Sequence, residues 1–269
     1  MRSTNQLYTG DEYYLRFGIF LTSSRFVKEQ NTRNKKFKVA LNKFAAYTPS
    51  EYRSILGYKN DFTNRQAVKT QRKSNSDSLD WRDKGVVNEI KNQGNCGSCW
   101  AFSAVQAAES ANAIKSGTLQ RYSEQSLVDC VSYCFGCNGG IMSKAFDYIM
   151  SHQQGHYNLE DEYVYTAVDG KCKYSQYTPV GTTSDYFKVV TYDEDDLAAK
   201  LETYGPVAVA IDASQYSFQL YSGGIYDEPS CTSTFLDHGV GCIGYGVQDS
   251  TKYWIVRNSW GTSWGENGY

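Results

Sequence analysis

The feature that most constrains this chain is a glycine-rich loop, Gln93 to Trp100, with the sequence Gln-Gly-Asn-Cys-Gly-Ser-Cys-Trp. An alanine-rich helical pattern follows it, so Ser98 is placed as the N-cap and Cys99 in the first helical turn. The helix dipole favours an anion there, which predicts a lowered pKa for the Cys99 thiol. Gln93 adds a side-chain amide donor. The loop therefore predicts an activated thiolate beside a hydrogen-bond donor.

Two later segments supply the groups that a thiol nucleophile needs. His238 begins an apolar run punctuated by glycine, 139 residues after Cys99, and Asn258 lies in the run Arg-Asn-Ser-Trp-Gly, 159 residues after Cys99. Peptide hydrolysis by a thiol requires a proton shuttle and a group that orients it, and an imidazole and a carboxamide can fill these roles. The other histidines, His152 and His156, lie in a polar stretch and are expected at the surface.

The motif Cys-Gly-Ser-Cys-Trp at Cys96 to Trp100, followed at long distance by histidine and then asparagine, resembles the papain family of cysteine proteases, most closely its cathepsin L-like branch. The resemblance implies an α+β, papain-like fold with a helical lobe, a β-barrel-like lobe and an active-site cleft between them. It implies that Cys99 is the nucleophile, that His238 pairs with it and protonates the leaving amine, and that Asn258 orients the imidazole. The Gln93 amide and the Cys99 backbone N–H would form the oxyanion hole.

Length and charge exclude several classes of protein. The 269 residues suffice for one two-lobed enzyme or two small domains. No apolar run approaches the ~20 residues of a membrane span, so no membrane association is expected. Residues 1–74 carry a net charge of +10 and residues 75–269 one of −12. A basic segment can bind nucleic acid, but its lysines and arginines are scattered. We therefore favour attraction between the two parts of the chain and expect no nucleic-acid partner.

The basic segment, residues 1–74, is expected to be an inhibitory propeptide. Five of its residues recur at intervals that place them near one helix face; these are Glu12, Arg16, Phe20, Val27 and Asn31. This pattern is similar to the propeptide helix of cathepsin L-like zymogens, with Ser23 and Val27 replacing a usual asparagine and isoleucine. The stretch Ala40 to Ala46 is similar to a second propeptide motif, with alanine replacing its usual glycine and aspartate.

The rest of the segment is expected to cap a helix and then cross the cleft. Thr48-Pro-Ser-Glu predicts a short capped helix. Residues 58–78 are polar and lack an apolar period, which predicts an extended, cleavable linker with the mature protein starting near Asn75. In the family this linker covers the active site. Because opposite charges hold the two parts together, protonation of carboxylates should weaken the contact, and we expect acid-promoted self-activation.

Residues 75–269 are expected to form the peptidase domain, with a mainly helical lobe over residues 75–185 and a β-rich lobe over residues 186–269. Strand-like runs separated by turn signals support the second lobe; they are Phe187–Val190, Val207–Ile211, His238–Tyr245 and Tyr253–Val256, with a helix at Asp195–Tyr204. Relative to the family, the chain lacks a signal peptide and stops before the end of the β-rich lobe. We therefore expect a fragment at both ends.

Eight cysteines, all after residue 95, indicate a disulfide framework in an oxidising compartment. Zinc is the alternative, but the two Cys-x-x-Cys pairs are 34 residues apart, longer than the usual spacing, so no metal is expected. By resemblance the disulfides are Cys96–Cys137 and Cys130–Cys172, and the partner of Cys231 lies beyond Tyr269. Cys242 is expected to be a small buried apolar residue. Cys134 remains a possible competitor for Cys96.

The resemblance also implies a set of substrate-binding residues; they are Gly139, Gly140, Met142, Ala210, Leu236, Asp237 and Trp260. The two glycines would let a substrate backbone approach. Three apolar members, Met142, Ala210 and Leu236, match the pocket for the second residue before the cut, so a hydrophobic residue is expected there. Trp260 would shield the His–Asn pair and line the leaving-group side of the cleft. Simple core packing is the alternative for Trp260.

These observations predict a cysteine-type endopeptidase made as a zymogen. The spacing of Cys99 and His238 leaves no room for the large insert of cathepsin B-like exopeptidases. The alternative is an inactive papain-like protein that binds peptides or inhibits proteases. Expected partners are peptide and protein substrates, the chain's own propeptide and cystatin-like inhibitors, and no cofactor is expected. We expect a monomer in a lysosome-like acidic compartment or secreted.

Overall fold

The computed structural model describes residues 7–33, 36–60, 65–71 and 76–269. Among its described residues, the N-terminal segment, defined as residues 1–74, contains helix α1 (Gly10–Arg33), strand β1 (Phe37–Val39) and helix α2 (Pro49–Ser54). Asn75, near which cleavage is expected, lies outside the described residues. No helix in the described part of the chain has the length and apolar character needed to cross a bilayer.

Helix α1 carries the predicted periodic face toward the rest of the protein. Phe20 and Val27 pack against a buried apolar cluster, and the Asn31 carboxamide exchanges two hydrogen bonds with the Val39 backbone. Arg16 is buried, forms a two-pronged ion pair with Glu51 and donates to the Ala46 carbonyl at 3.0 Å. The one-faced helix predicted from the periodicity is therefore confirmed.

Helix α2 begins with the predicted capping box. The Thr48 hydroxyl accepts from the Glu51 backbone N–H, and the Glu51 carboxylate accepts from the Thr48 backbone N–H. Such reciprocal bonds satisfy two backbone donors that the first helical turn leaves open. Because the Glu51 carboxylate also binds Arg16, one side chain fixes the start of α2 and its contact with α1.

The first lobe consists of helices packed around one core. Helices α3 (Cys99–Ser116), α4 (Glu124–Cys130) and α5 (Met142–His152) contribute most of its buried side chains. Helix α3 ends as predicted, because Gly117 adopts the left-handed conformation with φ 76° that favours glycine. Short 3-10 turns occur at Trp81–Lys84, Gly136–Asn138 and Tyr174–Gln176.

The second lobe is built on an antiparallel sheet. After strand β2 (Leu79–Asp80) come α6 (Glu194–Tyr204), β3 (Val207–Ile211), α7 (Tyr216–Gln219), β4 (Tyr221–Gly224), β5 (His238–Gln248) and β6 (Thr251–Arg257). Strand β5 is central and pairs with β2, β3 and β6, all antiparallel. Since β5 also packs on α3, the start of β5 lies beside the start of α3.

The strand predicted at Phe187–Val190 is wrong, because these residues form no sheet ladder. Their backbone groups bond instead to two buried side chains of α6: the Asp196 carboxylate accepts from Val190 N, and the Lys200 ammonium donates to Lys188 O. The same two side chains bind the N-terminal segment, since Asp196 accepts from Thr70 N and Lys200 donates to Val68 O. Side-chain bonding has replaced the strand pairing that the apolar pattern predicted.

The N-terminal segment and the second lobe share one aromatic core. Phe44 and Tyr52 of the segment pack edge-on against Trp260, with ring centroids 5.0 and 5.8 Å away. Strand β1 pairs antiparallel with β4 in a separate two-stranded sheet. The two parts of the chain therefore bury each other's apolar surface and complete each other's strand pairing.

Candidate active site

Cys99 is the first residue of α3 and is completely buried. Two backbone N–H groups point at its sulfur, from Gly57 at 3.2 Å and from Gly239 at 3.3 Å. Ser98 occupies the N-cap position, but its hydroxyl bonds to the Tyr165 hydroxyl at 2.6 Å and does not cap the helix. The thiol therefore lies at a helix start, as predicted, beneath a residue of the N-terminal segment.

The predicted low pKa of the Cys99 thiol is corrected by the structure. Burial raises the pKa of Cys99 to about 11, because an anion is disfavoured away from water and the N–H donors offset only part of this effect. The helix dipole favours the thiolate, but Gly57, which lies 42 residues earlier in the chain, covers the sulfur and keeps it from water.

His238 and Asn258 form a buried pair. His238 begins β5, and its Nε2–H donates to the Asn258 Oδ1 at 2.8 Å; the same oxygen accepts from the Ser259 backbone N–H at 2.8 Å. The Trp260 ring lies 4.6 Å from the imidazole, centroid to centroid. Burial lowers the pKa of His238 to about 4. Near neutral pH the thiol and the imidazole are therefore both uncharged in this form of the protein.

The Gln93 carboxamide is held in a fixed orientation with its nitrogen toward the N-terminal segment. Its oxygen accepts from the Ser259 hydroxyl at 2.7 Å, and its nitrogen donates to the carbonyls of Cys96 at 2.9 Å and Ile55 at 2.8 Å. The amide that sequence analysis assigned to the oxyanion hole thus binds a carbonyl oxygen of the N-terminal segment.

The N-terminal segment covers this site as an extended strand. Gly57 O accepts from Gly140 N at 2.8 Å, Lys59 N donates to Gly140 O at 2.9 Å, and Tyr58 N donates to Asp237 O at 2.9 Å. Gly57 must be glycine, because a Cβ there would lie 1.8 Å from the Gly97 carbonyl oxygen. Gly140 therefore pairs with an extended backbone, as was expected of it for substrate.

The remaining candidate substrate-binding residues lie close to this strand. Ala210 pairs with Gly239 across β3 and β5, and a Cβ on Gly239 would lie 3.3 Å from the Met142 sulfur. Tyr58 and Ala210 each pack against the apolar cluster that includes Met142. Leu236 lies half-buried in the loop before His238, and Gly139 would place a Cβ 2.6 Å from the Gly57 carbonyl oxygen.

The described part of the chain contains two disulfides, Cys96–Cys137 and Cys130–Cys172, the pairs that the family resemblance implies. Cys96 is therefore a structural cysteine although it lies three residues from Cys99. Cys134 and Cys242 are buried and free, and Cys231 is exposed and free. Cys134 has not displaced Cys137 as the partner of Cys96.

Sequence analysis missed three contributors to the site. Ser259 orients Gln93, and Ile55 and Gly57 of the N-terminal segment bind Gln93 and Cys99. Ser259 could have been found from its place beside Asn258 in the Asn-Ser-Trp run. Ile55 and Gly57 carry no local signal, because their roles depend on how α2 directs the chain over the cleft.

A thiol at a helix start, a histidine–asparagine pair and a fixed amide donor define the class of thiol hydrolases, here with a covering N-terminal segment. Comparison with known proteins agrees. Residues 75–269 match the papain family cysteine protease domain, and residues 1–52 match the cathepsin propeptide inhibitor domain. The chain therefore belongs to the papain family of cysteine proteases, and residues 1–52 of its N-terminal segment form the propeptide inhibitor domain. The predicted papain-like α+β fold is confirmed.

Individual relatives support this assignment. The chain is 42% identical over 277 residues to "Probable cysteine protease RD21B" of Arabidopsis thaliana, covering 100% of this chain and 58% of that protein. It is 39% identical over 277 residues to "Cathepsin L1" of Drosophila melanogaster, covering 96% and 74%. The structure of digestive procathepsin L2 from Tenebrio molitor larval midgut superposes with a TM-score of 0.92 at 36% identity, covering 100% and 90%. The chain thus spans less than two thirds of the Arabidopsis relative.

Proposed function

We propose that this protein is a cysteine endopeptidase made as an inactive precursor, with Cys99, His238, Asn258 and Gln93 as its catalytic residues. The observation that carries the proposal is that two of these residues, Cys99 and Gln93, bind one stretch of propeptide backbone. Gly57 N–H donates to the Cys99 sulfur, and the Ile55 carbonyl accepts from the Gln93 amide. The propeptide thereby uses the groups that a scissile peptide would use.

The chemistry proceeds in two stages once the propeptide has left. Cys99 gives its proton to His238, and the thiolate attacks the substrate carbonyl carbon while the Gln93 amide and the Cys99 N–H stabilise the oxyanion. The imidazolium then protonates the leaving amine, which leaves a thioester. Water, deprotonated by His238, hydrolyses the thioester and restores the thiol. Asn258 holds the imidazole by accepting its Nε2–H throughout.

We propose residues 1–74 as the inhibitory propeptide and residues 75–269 as the peptidase domain, divided near residue 185 into its two lobes. Ion pairs between the two parts support the charge attraction proposed from the sequence. They include Lys69 with Asp193 at 2.6 Å, Lys36 with Asp227, and Arg65 with Asp185. Removal of the propeptide in acid would then release the site.

A hydrophobic residue two positions before the cut is the proposed preference. Its support is the apolar cluster that includes Met142, because both Ala210 and Tyr58 of the propeptide pack against this cluster. We propose peptide and protein substrates and inhibition by cystatin-like proteins. We also propose that the protein is a monomer and acts in a lysosome-like acidic compartment or after secretion.

The test is covalent labelling of the acid-activated protein with an epoxide that reacts with thiols and carries a dipeptide-like tail, followed by peptide mapping. We expect label on Cys99 alone, and none in Cys99→Ala or His238→Ala. His152→Ala is the matched control, because His152 is exposed on α5 and should leave labelling unchanged. A folded protein that takes no label and cleaves no peptide would overturn the proposal in favour of an inactive peptide-binding protein.

A further inference from the structure

Gln106 is an uncharged polar residue buried inside the enzyme, on the face of α3 that packs against β5. Its side chain is 3% exposed, and neither atom of its amide has a hydrogen-bond partner within the described part of the chain. A Cβ on Gly241 would lie 2.1 Å from that amide, so glycine at 241 makes the room that Gln106 occupies. Burying an amide without a hydrogen-bond partner costs free energy, so we expect a bound molecule that pairs with it.

A small cavity lies next to this amide. It measures about 10 Å³, and its lining includes Gln106, Gly241, Arg257 and Asn258. A space of this size accommodates about one water molecule, provided that two to four polar atoms can bind it.

Two further residues of the lining, Arg257 and Asn258, carry buried donor atoms that could bind a water molecule. The Asn258 Nδ2 and the Arg257 Nε have no hydrogen-bond partner among the described residues, and both are fully buried. A water molecule can accept from these two donors and donate to the Gln106 carbonyl oxygen. Three partners would satisfy the usual coordination of a buried water.

We propose that Gln106 is a positioning residue for Asn258, acting through one water molecule bound in this cavity. Asn258 can hold the imidazole only while its oxygen faces His238 Nε2–H, at 2.8 Å. A water that accepts from Asn258 Nδ2–H and donates to Gln106 gives the amide nitrogen a partner in this orientation. In the flipped amide the Asn258 N–H groups would instead face the His238 Nε2–H. The inference rests on the catalytic role proposed for Asn258.

The alternative is that Gln106 only fills the space beside Gly241. The two roles differ in what an apolar replacement does. A side chain of similar volume fills the space but cannot bind the water, so it changes catalysis only if the water matters.

The experiment uses the full chain, acid-activated, with Gln106→Leu and Gln106→Met. The matched control is Gln153→Leu, because Gln153 is also 3% exposed with an unpartnered amide but does not line this cavity. We expect kcat to fall about three- to tenfold in both Gln106 variants, the scale of one lost hydrogen bond, with KM changed less than about twofold. In the pH profile of kcat/KM, the alkaline limb reports loss of the imidazolium proton. We expect this limb to move to lower pH in both Gln106 variants.

Crystals of the unmodified precursor provide a second readout that does not depend on activity. We expect electron density for one water molecule bonded to Gln106 and Asn258, and its loss in Gln106→Met. An unoccupied cavity at high resolution, or Gln106 variants that match Gln153→Leu in kcat and pH profile, would overturn the inference. A precursor that cannot be activated or labelled at Cys99 would instead refute the proposed function, and the density would still decide whether Gln106 binds the water.

Discussion

Replacing Gly57 with alanine should weaken the contact between the propeptide and the active site while every proposed catalytic residue stays unchanged. The new Cβ would lie 1.8 Å from the Gly97 carbonyl oxygen and 2.4 Å from its carbon. Both are backbone atoms, so no side-chain rotation can relieve the overlap. The propeptide strand must therefore move away from the Cys99 sulfur.

The size of the effect follows from the contacts that this movement breaks. Gly57 donates to the Cys99 sulfur and accepts from Gly140 N, and each bond is worth about 1 kcal/mol. Overpacking adds about 1–3 kcal/mol. A total of at least about 3 kcal/mol corresponds to more than a hundredfold shift from the covered to the open site.

The assay is hydrolysis of a fluorogenic peptide by the freshly purified precursor at neutral pH, together with its activation half-time in acid. Gly57→Ala should show measurable activity before cleavage and should activate faster. Gly18→Ala is the matched control, since Gly18 lies on α1 and a Cβ there meets nothing within 4 Å. If Gly57→Ala stays as latent as Gly18→Ala while both remain folded, the strand does not hold the site closed.

Further predictions concern acid opening and the disulfides. Between pH 7 and pH 5, exchange of the Gly140 amide in a Cys99→Ala chain should rise about twentyfold relative to its exchange in a Cys99→Ala/His238→Gln chain. Burial lowers the pKa of His238 from 6.5 to about 4, so the open state gains a proton first and the covered state loses stability as pH falls from 6.5 to 4. Burial raises the pKa of Asp237 to about 6, which stabilises the covered state as pH falls, but this effect is the same in both chains and cancels in the comparison. An equal rise in both chains would assign acid opening to other groups. Replacing Cys130 and Cys172 with alanine should lower the free energy of unfolding by about 4 kcal/mol in urea titration, because the cystine closes a loop of 42 residues. Cys231→Ser, at an exposed free thiol, should change it little, and comparable losses would contradict the loop argument.

Local signals in the sequence predicted local structure well. The periodic face of α1, the capping box at Thr48 and the glycine stop at Gly117 each depend on residues a few positions apart, and all three are confirmed. The motif around Cys99, with the later histidine and asparagine, was sufficient to identify the family.

Long-range contacts account for what the sequence did not predict. Phe187–Val190 has a strand-like composition, but buried Asp196 and Lys200 bind its backbone. The thiol of Cys99 has a raised pKa because a distant segment covers it. The cavity beside Gln106 depends on the packing of α3 against β5, and the residues of these two elements contain no signal that predicts it.

The pairing of β1 with β4 has a consequence for the mature enzyme. When the propeptide leaves, β4 (Tyr221–Gly224) loses β1, its partner in the two-stranded sheet, and presents an unpaired strand edge beside aromatic rings that the propeptide had covered. Open edges accept further strands, from a second molecule or from an inhibitor. The edge is only four residues long and ends in two glycines, which limits how much strand it can recruit. Removal of the propeptide would thus leave a short unpaired strand on the face where β1 was attached.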